Sequence, residues 1–129
     1  MDRYATIFKT LSDPTRLRIL RMLLEARTEL CVCELVDSLE QTPYNVSKHV
    51  KTLKGAGLLE SRRDGRWIYY RAARAAEPFH ALVHRAVAAI PEAAVRRDRA
   101  ELRKRLRLRE GGRCLRGVVK LHLLGNTGA

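Results

Sequence analysis

Two short apolar stripes at helical spacing, separated by a brief polar break, set the tightest limit on what this chain can fold into. The first runs through Val32, Leu35, Val36 and Leu39; the second runs through Val46, Val50 and Leu53. Between them lies Glu40-Gln41-Thr42-Pro43. Thr42 can cap a new helix and Pro43 can open it. The spacing predicts one helix over residues 31–39 and a second from residue 43 until Gly55 and Gly57 stop it. Two short helices joined by a tight turn are a helix-turn-helix. The period then changes over residues 58–71, where two strand-like runs flank Asp64-Gly65. Asp-Gly in that setting is the strongest short-range hairpin signal.

The flanking segments read as helices. Tyr4, Ala5, Ile7, Phe8 and Leu11 share a broad helical face, which Ser12-Asp13-Pro14 breaks. Asp13 can cap a helix carrying Leu17, Ile19, Leu20, Leu23 and Leu24, ending near Ala26-Arg27. After Pro78, a wide stripe of Phe79, Leu82, Val83, Ala86, Val87 and Ile90 runs up to Pro91. Residues 92–110 predict a very basic helix with few apolar anchors (Val95, Leu102, Leu106), ended by Gly111-Gly112. The apolar run at 118–124 has no assignable type, and residues 126–129 read as a loose end. The expected fold is mainly α with a small β-hairpin, a winged helix-turn-helix.

Charge points to a polyanion. The 129 residues carry a formal net charge of +12, which suits nucleic acid or an anionic surface. Residues 41–74 hold eight Lys or Arg against two acids. On the second helix of the motif, Thr42, Tyr44, Asn45, Ser47, Lys48 and Lys51 lie off the apolar stripe, and can bond base edges or phosphates. Arg62, Arg63 and Arg66 surround the hairpin tip, where a wing reaches the DNA backbone or minor groove. Trp67, Tyr69 and Tyr70 read as strand packing. Positive charge concentrated on the motif and wing argues against a membrane-surface role. Residues 92–129 add eleven Lys or Arg against four acids, either further DNA affinity or a solvated face with pairs such as Glu92/Arg96 and Glu101/Arg105. With no export signal, no membrane-spanning run and an odd number of cysteines, reduced thiols in the cytoplasm are expected.

Cys31-Val32-Cys33 opens the first helix of the motif. Residues i and i+2 of a regular helix point to nearly opposite sides, but they converge if the first precedes the helix. A helix N-terminus also favours thiolate. Two convergent thiolates suit a soft ion such as Cd(II), Pb(II) or trivalent arsenic or antimony. The alternative is a pair of small buried hydrophobes. A thiol reductase is disfavoured, because such enzymes use Cys-x-x-Cys near a βαβ unit. No phosphate-cradling Gly loop or Ser/His/Asp set argues for catalysis.

Residues 29–35, 47–53 and 57–59, the run from Gly65-Arg66-Trp67 to Tyr70-Arg71, and the opening 11–16 together resemble the ArsR/SmtB family of metal-sensing repressors. The resemblance covers about residues 4–90. It implies a homodimer that represses from double-stranded operator DNA and leaves it when an inducer binds. It assigns Cys31 and Cys33 as ligands of arsenite or antimonite, or of cadmium or lead. The family's arsenite sensors carry a third thiol three residues further on, where this chain has Val36. Cys114, the only other cysteine, is the candidate replacement, brought back by the tail. His80 and His84 share a helix face, but Pro78 stands where the family's zinc site needs Asp. His49 reads as structural. Residues 1–91 are then the DNA-binding and dimerisation domain, and 92–129 a basic C-terminal helix and tail. A redox or persulfide sensor on the same scaffold is the nearest rival.

Overall fold

The computed structural model describes residues 1–125; the loose end read at 126–129 lies outside them. Six helices and three strands follow in the order α1 (Asp2–Thr10), α2 (Pro14–Ala26), β1 (Leu30–Cys31), α3 (Val32–Leu39), α4 (Pro43–Gly55), β2 (Leu59–Asp64), β3 (Trp67–Ala72), α5 (Pro78–Ala88) and α6 (Glu92–Leu106). A short 3₁₀ turn covers Leu121–Leu123. The strands form an antiparallel sheet in the order β1-β3-β2.

Local chemistry sets the boundaries. The Asp13 carboxylate accepts from the Arg16 amide at 3.0 Å and starts α2. Thr42 Oγ1 accepts from the Asn45 amide at 3.2 Å and starts α4, with Pro43 in the first turn. Glu40 takes a left-handed conformation at φ 54°, which ends α3 and turns the chain into α4. Such a residue costs about 1–2 kcal/mol without glycine, and the Glu40 carboxylate accepts from Arg97 Nε at 3.0 Å.

One core holds these elements. Ile19, Leu20 and Met22 of α2, Leu35 and Val36 of α3, Val46, Val50 and Leu53 of α4, and Leu58 before the wing are essentially inaccessible. Fully burying each such side chain contributes about 1.5–3 kcal/mol. The same cluster takes in Val95, Leu102 and Leu123, so α6 and the segment after it pack on the helix-turn-helix. Arg18 adds a two-pronged bridge to Asp98 at 2.8 and 2.9 Å, tying α2 to α6.

The structure departs from the sequence reading at several points. The helix expected over 31–39 starts at Val32, because Cys31 is extended and paired with Tyr69 in the sheet. The expected hairpin is thus a three-stranded sheet. The final helix ends at Leu106 rather than 110, since residues 107–120 turn back over α3. The ion pairs Glu92/Arg96 and Glu101/Arg105 do not form. Arg99 takes Glu92, Lys104 and Lys120 take Glu101, and Arg105 reaches Asp37.

Candidate metal centre and nucleic-acid interface

The sheet edge, the start of α3 and the loop after α6 bring three thiols together. Cys31 Sγ lies 2.8 Å from Cys33 Sγ and 3.2 Å from Cys114 Sγ, and Cys33 Sγ lies 3.5 Å from Cys114 Sγ. All three residues are buried and none is in a disulfide. Among the described residues, these cysteines are the group of three or more metal-type ligands close enough to share an ion. Cys31 and Cys33 converge because Cys31 has extended backbone, φ −86° and ψ 164°, while Cys33 sits in the first helical turn.

Cys114 is held from several sides. Its amide donates to the Tyr69 hydroxyl at 2.9 Å, and Tyr69 is the cross-strand partner of Cys31. Arg105 is buried against Asp37, Nε to Oδ2 2.8 Å. Its Nη2 donates to the carbonyls of Arg116 at 2.7 Å and Gly117 at 3.1 Å. Asp37 in turn accepts the amides of Val119 and Lys120 at 2.9–3.2 Å. Arg109 forms a second clamp, pairing both nitrogens with Glu34 at 2.6 Å and reaching the Glu29 carbonyl at 2.6 Å. Glu34 also accepts the Cys31 amide at 3.0 Å. Burial works against the Glu34 charge, but Arg109 and that amide overcome it and hold the carboxyl below the usual range. Sequence reasoning missed these clamps. Their signal was faint: Glu34 and Asp37 three residues apart on one helix, Arg105 and Arg109 four residues apart at the end of the chain's basic segment.

The thiols are not activated as a helix N-terminus alone suggests. The hydrogen bond with Cys33, burial and the nearby Glu34 push the Cys31 thiol up. Burial and Cys31 push Cys114 up. Crowded sulfurs in a dry site cannot all ionise, so proton loss must accompany ligation by a soft cation. The donor set fits such an ion: three sulfurs within one ligand shell and no oxygen or nitrogen donor in the group.

The residues expected from the sequence to contact DNA lie at the start of α4, along it and around the β2–β3 turn. Tyr44, Lys48 and Lys51 are exposed along α4, with Lys48 Nζ 5.9 Å from the Tyr44 ring. Thr42 caps the helix, Asn45 donates to Gln41 at 3.0 Å, and Ser47 is half-buried. On the wing, Arg63 and Arg66 are exposed, and Arg66 stacks on Trp67 at 4.7 Å. Arg62 instead pairs with Glu29 at 2.6–2.8 Å and covers the Tyr69 ring. Tyr69 and Tyr70 pack in the strands as expected. His49 is buried, 3.9 Å from Asp13. Desolvation keeps its imidazole below the ordinary value despite that carboxylate.

Comparison with known proteins agrees with the winged helix-turn-helix fold. The sequence profile of the bacterial regulatory protein, arsR family, matches residues 13–61. An uncharacterised helix-turn-helix transcriptional regulator of Methanocaldococcus jannaschii is 41% identical over 73 residues, 54% of this chain and 81% of that protein. An arsenic resistance transcriptional regulator of Pseudomonas putida is 46% identical over 65 residues, 50% of each chain; this chain thus spans about half the length of that relative. A homodimeric winged helix-turn-helix DNA-binding domain from Mycobacterium bovis, a possible ArsR-family regulator, is 31% identical with a TM-score of 0.57, covering 67% of this chain and 75% of that one. No helix among the described residues is long and apolar enough to cross a membrane. Fold, motif and relatives agree that this chain belongs to the arsR family of bacterial regulatory proteins, and is a DNA-binding transcription regulator rather than an enzyme.

Proposed function

We propose that this chain is a repressor released from operator DNA when trivalent arsenic or antimony binds Cys31, Cys33 and Cys114. One observation carries the reading: three buried sulfurs, from sites 83 residues apart in sequence, stand within 3.5 Å of one another. Trivalent arsenic and antimony form three bonds and keep a lone pair, so three thiolates complete their shell. Cadmium or lead is the second reading, favoured by the same soft donor set. A reducing cytoplasm would keep the thiols free.

The acting unit is a homodimer that sets two copies of α4 about 34 Å apart on one face of the duplex. Phe8 and Leu82, 62% and 59% exposed, offer apolar surface on α1 and α5 for the partner. Tyr4 and Phe8 both stack edge-on against Phe79, which joins the two helices into one face. Residues 1–91 serve DNA binding and dimerisation, and residues 92–129 supply the third thiol. Thr42, Tyr44, Asn45, Ser47, Lys48 and Lys51 read the groove, and Arg62, Arg63 and Arg66 serve the wing.

Coupling has a short route. The thiols sit where β1 meets α3, and α3 packs on α4. Arg113, beside Cys114, pairs with Asp64 at the wing turn at 2.8 Å. Ligation that ties the three sulfurs to one atom therefore bears on both the reading helix and the wing. Reversing a 99:1 population needs about 5.5 kcal/mol of preference for the DNA-free form.

A gel shift with operator DNA and a panel of arsenite, antimonite, cadmium, lead and zinc tests the reading. Arsenite or antimonite should release the native protein and not Cys31→Ser/Cys33→Ser. Release of that double variant would overturn it. Release by peroxide or polysulfide but not by any ion would turn the site into a redox sensor.

A further inference from the structure

Four charged side chains, buried or nearly so, stand around the three sulfurs, and they come as two opposite pairs. Glu34 is wholly buried, accepts the Cys31 amide at 3.0 Å and pairs with the nearly buried Arg109. Asp37 pairs with Arg105, both buried, and Arg105 Nη2 lies 3.8 Å from Cys114 Sγ. The formal charges of the four sum to zero. The other cations close by are exposed. Arg62 and Arg113 are tied to Glu29 and Asp64, and Arg66 and Arg116 lie at the surface, where water and salt screen them. Both arginines of the buried pairs lie outside residues 13–61, the stretch that matches the family profile. Tethering the tail does not by itself call for buried charge, because well-packed apolar side chains often hold a fold as firmly as a buried ion pair.

We propose that these two pairs determine specificity: by summing to zero around the sulfurs, Glu34–Arg109 and Asp37–Arg105 favour an ion whose three-thiolate complex is neutral over one whose complex is an anion. The proposal rests on the three-thiol reading above and adds residues that discriminate by valence. Neither ligation step needs an oxidant or reductant. Arsenous acid, As(OH)₃, meets three thiols; three As–S bonds form, three As–O bonds break, and each thiol proton leaves with a hydroxide as water. The product carries no charge. Lead(II) meets the same thiols and forms three Pb–S bonds as three protons pass to solvent. That product keeps one negative charge. Lead(II) and trivalent arsenic both take three sulfurs in a pyramid with a lone pair at its apex, so the two complexes differ chiefly in charge and size. An anion in a buried site is costly unless a cation answers it. Here each nearby buried cation is already matched by its own carboxylate, so the extra charge of a divalent ion's complex goes unanswered.

Arsenite, antimonite and lead(II) are the probes, and the readout is the ratio of lead to arsenite affinity. Affinities of the purified full chain are measured by competition with a small dithiol at one pH and one salt concentration, and the thiolate-to-lead absorption band reports that sulfur ligation is kept. Asp37→Asn leaves the surroundings with one net positive charge and should raise the ratio roughly tenfold or more, the scale of one unit charge a few ångströms away at an effective dielectric of about 20. Arg105→Met leaves one net negative charge and should lower it by a like factor. Asp37→Asn/Arg105→Met should return it to within threefold of the native value. Arg105→Lys keeps the charge, so it should hold the ratio even where both ions bind more weakly. Glu34→Gln and Arg109→Gln should move the ratio up and down in the same way. Antimonite, a larger trivalent ion, should follow arsenite in every variant, which separates charge from size. A purely structural clamp would weaken all three ions together. A ratio that stays within threefold of native in both Asp37→Asn and Arg105→Met, or moves the same way in both, overturns the proposal and leaves the arsenite reading standing. Undiminished arsenite binding by Cys31→Ser/Cys33→Ser removes that reading and the proposal with it. Circular dichroism checks that each variant is folded, and Arg109→Gln, at the less buried pair, carries the same test of sign if a variant at Asp37 or Arg105 does not fold.

Discussion

At the residue scale, the site depends on a backbone that is not yet helical at Cys31 and on a buried charge pair that holds Cys114. The pair is Asp37 and Arg105, whose side chains are each 2% exposed. Removing one partner of such a pair strands the other charge in a dry interior and costs about 3–5 kcal/mol. Asp37→Asn should therefore lower the melting temperature clearly and weaken arsenite binding, while Asp37→Asn/Arg105→Met should recover part of the stability. Full stability in the single variant would refute the clamp. His49 gives a pH signature. Burial holds its folded pKa below the ordinary 6.5, so the unfolded chain takes up the proton first. That contribution to stability is present above the unfolded value, and it is lost as pH falls from about 6.5 through the folded pKa. Thermal unfolding at pH 7.5 and 5.5 should show the fall, and His49→Gln should flatten it. Cys31 and Cys33 were legible in the sequence because their spacing only makes sense at a helix start. Cys114 entered only as a replacement for the thiol that Val36 displaces. Asp37 and Arg105 were not legible, since a charge on an amphipathic helix looks solvated until its partner is placed.

At the scale of elements, α4 and the wing divide their labour by which cations are free. Lys48 and Lys51 project from α4, and each that meets a phosphate adds about one counterion to the salt dependence. Lys48→Gln and Lys51→Gln should each lower the slope of log K against log salt by about one unit, if that lysine meets phosphate. Arg63→Gln and Arg66→Gln should weaken DNA binding more than Arg62→Gln, because Arg62 is already tied to Glu29. Fluorescence anisotropy over a salt series measures both, and an Arg62 effect equal to the others would contradict the assignment. The elements were largely readable: Thr42-Pro43, Asp13-Pro14 and Asp64-Gly65 mark boundaries by local chemistry alone. β1 was not, because two residues carry no period and become a strand only by pairing with Tyr69 and Tyr70. The overshoot of α6 has the same origin. Nothing local distinguishes residues 107–110 from helix, and what pulls them away is the Arg109 contact with Glu34.

At the scale of the molecule, the basic C-terminal segment is not simply a charged appendage. Arg97, Arg99, Arg105, Arg109 and Arg113 each meet an acid elsewhere in the chain, so much of the positive charge is already paired and knits α6 and the segment after it to the rest. The composition gave the charge but not its destination, which only the fold decides. The distance in sequence between Cys31 and Cys114, 83 residues, has a further consequence. An ion held by both closes most of the chain into a ring. In the chain-entropy account, a cross-link over a loop of that size is worth roughly 4.5 kcal/mol. Ligand-loaded protein should melt at a higher temperature, with a shift that grows as the logarithm of inducer concentration, and a competing dithiol should reverse it. Cys114→Ser should lose most of it, since the ring left between Cys31 and Cys33 is tiny. Degradation draws on the opened state, so the protein that has let go of its operator would be the longer-lived one. Inducer would then enlarge the silent pool of regulator, and once the ion was cleared that pool would be on hand to shut the genes again without waiting for new synthesis.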